Sequence, residues 1–327
     1  MELSVVIPTH NSSKVISRTL DAVFNNKDVE LEDIIVDDAS TDNTLEIIRR
    51  YPCRIFALKK RSGPAKARNI GAKVARADII LFLDADAVLE KGSLRKFLID
   101  FSKYPDIACV SGVFQKDDNI RNWFYKYRDL QTHYWHQSSS SDASVFVLTA
   151  GAIKKRIFFE VGGFKEEFGQ FADVEDFEIG HRISQKYKMF VDKEIRFNHL
   201  EESSCFLRLT KKLFRRSRLW MRLFLKRKRF EKNYATTNRA IAIIFAFLSL
   251  ILFLLTIKLP WLIGGGIICL CGFFLSDIGF YKFLSQQGSI GFFMYASAVH
   301  YFFSIVLFLG AVFGLMEIIF NKKKVSI

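Results

Sequence analysis

The sequence is poor in cysteine and lacks the cysteine patterns of a metal-stapled or disulfide-stapled fold. Its 327 residues contain five cysteines, odd in number and scattered, without the paired spacing of a zinc site or a disulfide framework. A secretory signal peptide pattern is also missing before the first apolar run. We therefore expect a reducing compartment, with the N-terminal domain in the cytosol.

Acidic residues are almost absent from one short stretch, and this accounts for the charge of the whole chain. Residues 1–204 carry 30 basic and 31 acidic side chains, whereas residues 205–232 carry 12 basic side chains and one acidic side chain. The formal net charge of +14 is thus concentrated next to an apolar C-terminal region. This distribution indicates an anionic membrane surface as partner and argues against nucleic acid.

Short apolar runs alternate with helical patterns over the first 115 residues. The predicted strands are 3–7, 33–36, 54–58 and 79–83, and the predicted helices are 14–24, 44–50 and 65–75. This rhythm predicts an α/β fold with a Rossmann-like, mostly parallel sheet covered by helices. Residues 146–149 read as a further strand. In such sheets ligands bind at the carboxyl ends of the strands.

Polar residues follow the predicted strands at that edge. Asp84 and Asp86 come directly after the apolar run 79–83, and because strand side chains alternate, residues i and i+2 share a face. Two carboxylates on one face suit Mg²⁺ or Mn²⁺. A helix N-cap is the alternative reading of the polar residues after the other strands.

Four of these segments together resemble the family 2 glycosyltransferases of GT-A fold. They are residues 5–11 (VVIPTHN), 36–42 (VDDASTD), 63–71 (GPAKARNIG) and 82–86 (FLDAD). Gly162, Gly163, Phe164, Glu175 and Asp176 continue the resemblance, which covers about residues 1–200.

The resemblance implies a role for each matching residue. The residues implied to bind the nucleotide sugar, with a UDP-sugar favoured, are Pro8, Thr9, Asp37, Asp38, Arg68, Asn69 and Asp84. Those implied to line the acceptor site are Gly162, Gly163, Phe164 and Glu175. Asp86 is implied to bind the metal, with His199 as a further ligand or, equally, a surface histidine. Asp176 is implied to be the catalytic base, a carboxylate that takes the proton of an acceptor hydroxyl.

The C-terminal region predicts a membrane anchor. Residues 206–230 form a basic amphipathic pattern, with Leu209 and Trp220 on an apolar face and Arg218 and Arg222 on a basic face. This pattern is typical of an interfacial helix, although a solvated face on a globular domain is the alternative. Three apolar blocks follow, at 240–257, 259–281 and 290–316. Three spans would leave the lysines at 322–324 outside the cell, against the positive-inside tendency, whereas two or four would not.

These observations divide the chain into a catalytic domain (1–204), a basic interfacial segment (205–238) and a transmembrane region of about three helices (239–327). We expect a multi-pass protein of the inner (cytoplasmic) membrane that transfers a sugar, with inversion, to a hydroxyl of a lipid-linked saccharide or glycolipid. A polyprenyl-phosphate glycosyltransferase is the main alternative. A processive synthase is disfavoured because the Gln-x-x-Arg-Trp signature of the family is missing near Trp220. A non-catalytic sugar-nucleotide-binding scaffold is the alternative outside enzymes.

Overall fold

The computed structural model describes residues 2–26, 29–138, 145–168, 174–200, 205–228 and 236–320. These residues fall into two compact units. One comprises Met1–Lys116 and His136–Glu202, and the other comprises Asp117–Trp135 and Ser203–Ile327. Residues 117–135 therefore pack with the C-terminal unit, although the sequence-based boundary assigned them to the catalytic domain.

The first unit opens with parallel strands separated by helices. These elements are β1 (Leu3–Thr9), α1 (Ile16–Phe24), β2 (Leu31–Asp37), α2 (Thr44–Ile48), β3 (Arg54–Ala57), α3 (Pro64–Val74) and β4 (Ile79–Leu83). Strand β1 pairs in parallel with both β2 and β4, and β2 pairs in parallel with β3. The four predicted strands and three predicted helices are confirmed, with ends that differ by a few residues.

The rest of this unit turns the sheet into a mixed one. The added elements are β5 (Ala87–Leu89), α4 (Ser93–Lys103), β6 (Ile107–Phe114), β7 (Ala150–Lys154), α6 (Lys155–Glu160), α7 (Glu175–Ser184) and β8 (Lys188–His199). The strand order is β3-β2-β1-β4-β7-β6-β8-β5. Strand β7 is antiparallel to both β4 and β6, and β5 is antiparallel to β8.

One predicted strand is wrong. Residues 146–149 lie before β7 rather than in a strand, and pairing with β4 begins at Ala150. The apolar run is buried all the same, because the ring of Phe146 packs on that of Phe82 with centroids 6.5 Å apart. An apolar run of four residues fits a buried strand and a buried connection equally well.

The second unit consists of helices. They are α5 (Trp123–Gln137, whose last two residues belong to the first unit), α8 (Phe206–Arg227), α9 (Thr237–Leu255), α10 (Ile263–Ser276), α11 (Ile278–Ser285) and α12 (Ile290–Phe320). Helices α9 and α12 are long and apolar enough to cross a membrane, and α10 with α11 would make a third span if that pair, bent by 75°, counts as one. The three predicted apolar blocks are thus helical, with the second broken at Asp277.

The predicted amphipathic helix at 206–230 exists as α8, but part of its basic face differs from the prediction. The guanidinium groups of Arg218 and Arg222 lie 3.3 and 2.6 Å from the carboxylate of Glu317 on α12. These two side chains therefore face a neighbouring helix rather than lipid headgroups.

A buried carboxyl group on α4, that of Asp100, makes the stability of the first unit depend on pH. Burial, together with the charge and hydrogen bond of Asp192, raises the pKa of Asp100 from 3.8 to about 7. Between those values the folded state binds more protons than the unfolded state, so stability is lost as the pH rises. We expect Asp100→Asn to stabilise the protein by about 1–3 kcal/mol at pH 8 and by much less at pH 4.

Thermal unfolding of the full chain in detergent, followed by circular dichroism at both pH values, measures this difference. An Asp100→Asn effect of the same size at pH 4 and pH 8 would contradict the assignment. Asp78→Asn, a carboxyl-to-amide change at another position of the same unit, is the control for the substitution itself.

Candidate functional site

The carboxyl ends of β1 and β2 form one side of the candidate site. Pro8 and Thr9 are buried at the end of β1, and the amide of Asp38 donates to the carbonyl of Thr9 over 2.8 Å. The carboxylate of Asp37 accepts hydrogen bonds from the amide and hydroxyl of Ser40, which fixes the turn after β2. Asp37 therefore stabilises this turn, and its implied contact with the nucleotide sugar stays a prediction.

The carboxylate of Asp38 is engaged by the backbone of another segment. Its two oxygens accept hydrogen bonds from the amides of Ser62 and Gly63, at 2.6 and 2.7 Å. Asp38 therefore fixes the loop that begins α3, a contact that the sequence did not predict. A direct bond to a nucleotide base, as the resemblance implies, stays a prediction for this residue.

The second side of the site is built by pairing between β5 and β8. Asp84 and Asp86 follow β4, and the register of the antiparallel pair places Ala87 opposite His199. The hydroxyl of Thr19 donates to the carbonyl of Ala85 over 2.9 Å and holds the segment against α1. His199 is thereby brought beside two carboxylates that are more than 100 positions earlier in the chain.

Asp84, Asp86 and His199 form a cluster with the composition of a divalent metal site. One ligand atom from each of the three lies within 4.8 Å of the others, and the Nε2 atom of His199 is 3.3 Å from an oxygen of Asp86. All three side chains are half-buried. Two carboxylates and one imidazole fit Mn²⁺ well, and Mg²⁺ less well because it prefers oxygen ligands.

A buried arginine connects this cluster to the helix that carries the predicted base. The guanidinium of Arg68 is 2.7 Å from Asp84 and 3.1 Å from Glu175, and its side chain is only 3% exposed. Burial alone would lower the pKa of Arg68, but the two carboxylates outweigh it and raise the pKa. The side chain is therefore a fixed cation between two anions.

Asp176 lies in the first turn of α7, directly after Glu175. It is half-buried, and its carboxylate accepts a hydrogen bond from the amide of Phe177 over 2.9 Å. Glu175 is buried against Arg68. Two neighbouring carboxylates thus have different environments, one tied to a cation inside the protein and the other nearer the surface.

Asn69 holds the Gly-Gly-Phe segment that the resemblance assigns to the acceptor. Its amide nitrogen donates to the carbonyl of Phe164 over 2.8 Å, and its amide oxygen accepts from the Phe164 amide over 2.9 Å. Gly163 has a φ of +62°, and a β-carbon there would lie 3.0 Å from the Asn69 oxygen. Glycine is needed at this position both for the backbone conformation and for the close approach.

Arg182, which the sequence analysis passed over, supports the same segment from α7. Its guanidinium donates to the carbonyls of Val161 and Gly163 and pairs with Glu178. Glu178 is buried, so its acidic position in the first turn of α7 has a specific partner beyond the helix dipole. The i, i+4 spacing of Glu178 and Arg182 is the signal in the sequence that could have found this contact.

We expect Arg68→Met to destabilise the protein by about 3–5 kcal/mol, because it leaves a buried carboxylate without this cation. Adding Glu175→Gln should recover part of the loss, since the buried charge is then removed. Chemical unfolding of the full chain in detergent gives the four stabilities of the double-mutant cycle. Arg76→Met, at an arginine that is 65% exposed and 3.6 Å from Glu32, is the control and should cost about 1 kcal/mol or less. Additive losses in the cycle would contradict the bridge.

The structure thus brings Asp84, Asp86 and His199 into one cluster and joins Glu175 to Asp84 through Arg68. The remaining predicted residues lie in two flanking groups. They are Pro8, Thr9, Asp37 and Asp38 at the ends of β1 and β2, and Asn69 in the middle of α3 with Gly162, Gly163 and Phe164 after α6. The ligands implied for each of them stay predictions.

Known proteins with similar sequences are glycosyltransferases. TarS of Staphylococcus aureus, a poly(ribitol-phosphate) β-N-acetylglucosaminyltransferase, is 36% identical over 102 residues, which are 29% of this chain and 18% of TarS. TarP of the same organism, with the same named activity, is 40% identical over 120 residues, which are 35% of this chain and 36% of TarP. The chain therefore spans well under half the length of these relatives.

A solved structure is similar over nearly the whole chain. It is that of the mannosyltransferase PcManGT from Pyrobaculum calidifontis in complex with GDP-Man and Mn²⁺, with a TM-score of 0.58 and 18% identity. The similarity covers 97% of this chain and 87% of PcManGT. At this identity the likeness establishes the fold.

The family comparison agrees with the resemblance seen in the sequence. Residues 4–162 match the profile described as Glycosyl transferase family 2. The match includes the four segments in which the sequence resembles that family, and it ends before α7 and His199. Residues 4–162 are therefore a family 2 glycosyltransferase domain, and the first unit has the GT-A fold.

Proposed function

We propose that this protein transfers a sugar from a nucleotide-diphosphate sugar to a hydroxyl of a lipid-linked saccharide or glycolipid at the cytosolic membrane face, with inversion. The observation that carries the proposal is the continuous set of contacts from the Asp84–Asp86–His199 cluster through Arg68 to Glu175, the neighbour of Asp176. Asp84, on the metal side, and Glu175, which precedes the candidate base, are thereby tied to one buried cation.

In the proposed reaction Asp176 acts as general base. Its carboxylate takes the proton of the acceptor hydroxyl, whose oxygen forms a bond to the anomeric carbon of the sugar. The bond between that carbon and the diphosphate oxygen breaks, and the nucleoside diphosphate leaves with the bonding electron pair. Attack from the face opposite the leaving group gives inversion.

The proposed metal ligands are Asp86 and His199, with Asp84 beside them. Mg²⁺ or Mn²⁺ bound there would supply positive charge to the leaving diphosphate. Arg68 keeps Asp84 in place, since its guanidinium donates a hydrogen bond to one oxygen of that carboxylate. The imidazole among the ligands favours Mn²⁺.

The donor is proposed to be a nucleotide sugar because the similar proteins are named as glycosyltransferases and the similar structures contain such a donor. TarS and TarP are N-acetylglucosaminyltransferases by name, and the PcManGT structure contains GDP-Man and Mn²⁺. A UDP-sugar remains the favoured class on the resemblance around Asp38. The identity of the transferred sugar is the first property to determine.

The lipid-linked acceptor is proposed from the C-terminal unit. Helices α9 and α12 are long and apolar enough to cross a membrane, and α8 carries nine basic residues and no acidic residue. Such a unit would hold the enzyme at the surface where lipid-linked saccharides are presented. We therefore place the protein in the cytoplasmic membrane.

The deciding experiment is a panel of nucleotide sugars given to the purified full chain in lipid, with release of nucleoside diphosphate as the readout. We expect release with one donor class, dependent on Mn²⁺ or Mg²⁺ and abolished by EDTA. Release unaffected by EDTA would contradict the metal proposal. Absence of release with every donor and lipid extract would favour a non-catalytic binding protein.

The same assay separates the proposal from its main alternative. A polyprenyl phosphate attacks with an oxygen that is already anionic and needs no base, so an Asp176→Asn variant would keep its activity. Processive synthesis would appear as long products from one acceptor. The proposed function predicts instead a single added sugar and a strict need for Asp176.

A further inference from the structure

Helices α8 and α12 lie side by side and run in the same direction. The rings of Phe206 and Phe303 have centroids 5.2 Å apart, and the carboxylate of Glu317 is 2.6 Å from Arg222. Phe214 and Phe313 pair between these points, with centroids 5.8 Å apart. The contacts advance together along both helices, so nearly the full length of α8 follows α12.

Two glycines allow this close approach. A β-carbon on Gly310 would lie 2.5 Å from the carbonyl oxygen of Phe214, and one on Gly314 would overlap the carbonyl oxygen of Arg218. The backbones of α8 and α12 are therefore in direct contact, as in small-xxx-small helix pairs. The two helices form a single packed layer.

The charge of α8 restricts where this layer can lie. Residues 206–227 contain nine basic side chains and no acidic side chain, and α12 contributes one acid, Glu317. A helix with nine basic residues is strongly disfavoured in the hydrocarbon core. Because α12 runs parallel to α8 over residues 303–317, it is held at the same depth.

The exposed side of α12 is suited to the interface between headgroups and acyl chains. Its exposed large apolar side chains include a stripe at helical spacing, formed by Phe302, Leu309, Phe313, Met316 and Phe320. The pair therefore has the composition of an interfacial amphipathic unit, with the apolar stripe on one helix and the basic residues on the other.

Helices α9 and α10 have the opposite character. They form an antiparallel hairpin, in which Gly266 faces Phe253 and Gly272 faces Phe245. Neither helix carries a charged residue beyond Arg239 at the start of α9. Lys258 and the exposed Trp261 lie at the tip, as expected for anchors at the far interface.

Helix α12 crosses this hairpin rather than following it. Phe308 stacks on Phe247 with centroids 4.2 Å apart, and the hydroxyl of Tyr301 is 2.8 Å from that of Ser249. The two contacts are seven residues apart along α12, at Tyr301 and Phe308, but only two residues apart along α9. Helices that run alongside each other would advance equally.

We infer that α8 and the C-terminal half of α12 lie together in the interface of an anionic membrane, and that among the described helices the α9–α10 hairpin is what enters the hydrocarbon core. This deepens the membrane attachment in the proposed function and rests on it. Two crossings return the chain to its starting side, so α8, the start of α9 and residues 322–324 share one side. The lysines at 322–324 then obey the positive-inside tendency.

Depth-resolved quenching tests the orientation on the full chain in vesicles of phosphatidylglycerol and phosphatidylcholine. Tryptophan is introduced at Phe302, Phe313 or Phe320, which span about 27 Å along α12, and is quenched by lipids brominated near the headgroup or near the chain end. The unsubstituted chain provides the background, and Ile268→Trp, at an exposed position of α10, is the control for a deep site.

We expect the same ratio of shallow to deep quenching at all three α12 positions, and a lower ratio at Ile268→Trp. A crossing α12 would instead make Phe313→Trp markedly deeper than the two flanking positions, and that result would overturn the inference. So would a shallow Ile268→Trp, because the hairpin would then not enter the core.

A C-terminal reporter on the full chain gives an independent test in bacterial cells. We expect a fluorescent protein fused after Ile327 to fluoresce and alkaline phosphatase at the same place to be inactive. Active phosphatase would mean an odd number of crossings and would overturn the inference. Neither readout requires glycosyl transfer, so failure of the proposed activity would leave both results interpretable.

Discussion

Replacing Asp176 with asparagine is expected to lower kcat at least about a hundredfold while donor affinity stays nearly unchanged. A positioned general base typically contributes about 10²–10⁴-fold, and its loss appears in turnover rather than in ground-state binding. Asparagine keeps the size of the side chain, and its oxygen can still accept the amide of Phe177. It cannot take a proton from the acceptor.

Steady-state kinetics with the native acceptor, beside calorimetry of donor binding, measure the two effects separately. The matched control is Glu175→Gln, one residue earlier, whose carboxylate is bonded to Arg68. We expect a smaller loss of kcat there, accompanied by lower stability, because Arg68 loses one of its two anionic partners. Near-normal kcat in Asp176→Asn would exclude the hydroxyl-acceptor mechanism and favour the phosphate acceptor.

Replacing Asp86 with asparagine is expected to abolish metal-dependent donor binding in a protein that stays folded. The Asp86 carboxylate is one of three groups within 4.8 Å, and a neutral amide oxygen is a much weaker ligand for a hard cation. Loss of one anionic ligand therefore removes most of the metal affinity. Turnover falls with it.

Calorimetric titration of the donor with Mn²⁺ and with EDTA measures this loss. The wild-type protein should bind the donor in Mn²⁺ and weakly or not at all in EDTA, whereas Asp86→Asn should resemble the EDTA result in both buffers. His199→Ala should fall between them, since a water can replace an imidazole. The control Asp100→Asn changes a carboxyl group on α4, outside the candidate site, and should bind the donor like the wild-type protein. Unchanged donor affinity in Asp86→Asn would remove the metal assignment.

The part of the fold that could be predicted from the sequence is the part whose strands are buried on both faces. Leu3–Thr9 and Ile79–Leu83 each contain an apolar run bounded by polar residues, and a buried strand can be predicted directly from such a run. The short strand at the edge of the sheet was harder to recognise. Ala87–Leu89 has only three residues, so its pattern does not stand out.

The site was predicted by residue type but not by contact. The pair Asp84 and Asp86 is recognisable from spacing alone, whereas the proximity of His199 depends on the register between two strands far apart in the sequence. The burial of Arg68 between two carboxylates depends on the packing of α3 against α7. Sequence periodicity carries no information about which cation faces which anion.

The C-terminal helices show the same limit. Hydropathy identified three apolar blocks, and all three are helical, but the partner of each helix is not a property of hydropathy. The alignment of α8 with α12 rests on Gly310, Gly314 and Glu317. Two glycines and one acidic residue in an apolar helix do not stand out in a hydropathy profile.

The pairing of β5 with β8 makes the assembly of the candidate metal cluster depend on folding order. Its third member is supplied from residue 199, near the end of the N-terminal unit, so the three ligand groups cannot meet until β8 has docked in register. During synthesis the nascent chain would display Asp84 and Asp86 long before it acquires a complete set of ligands. The complete set of three candidate ligand groups therefore forms late in synthesis. A fragment that ends at residue 162, where the family match stops, lacks His199.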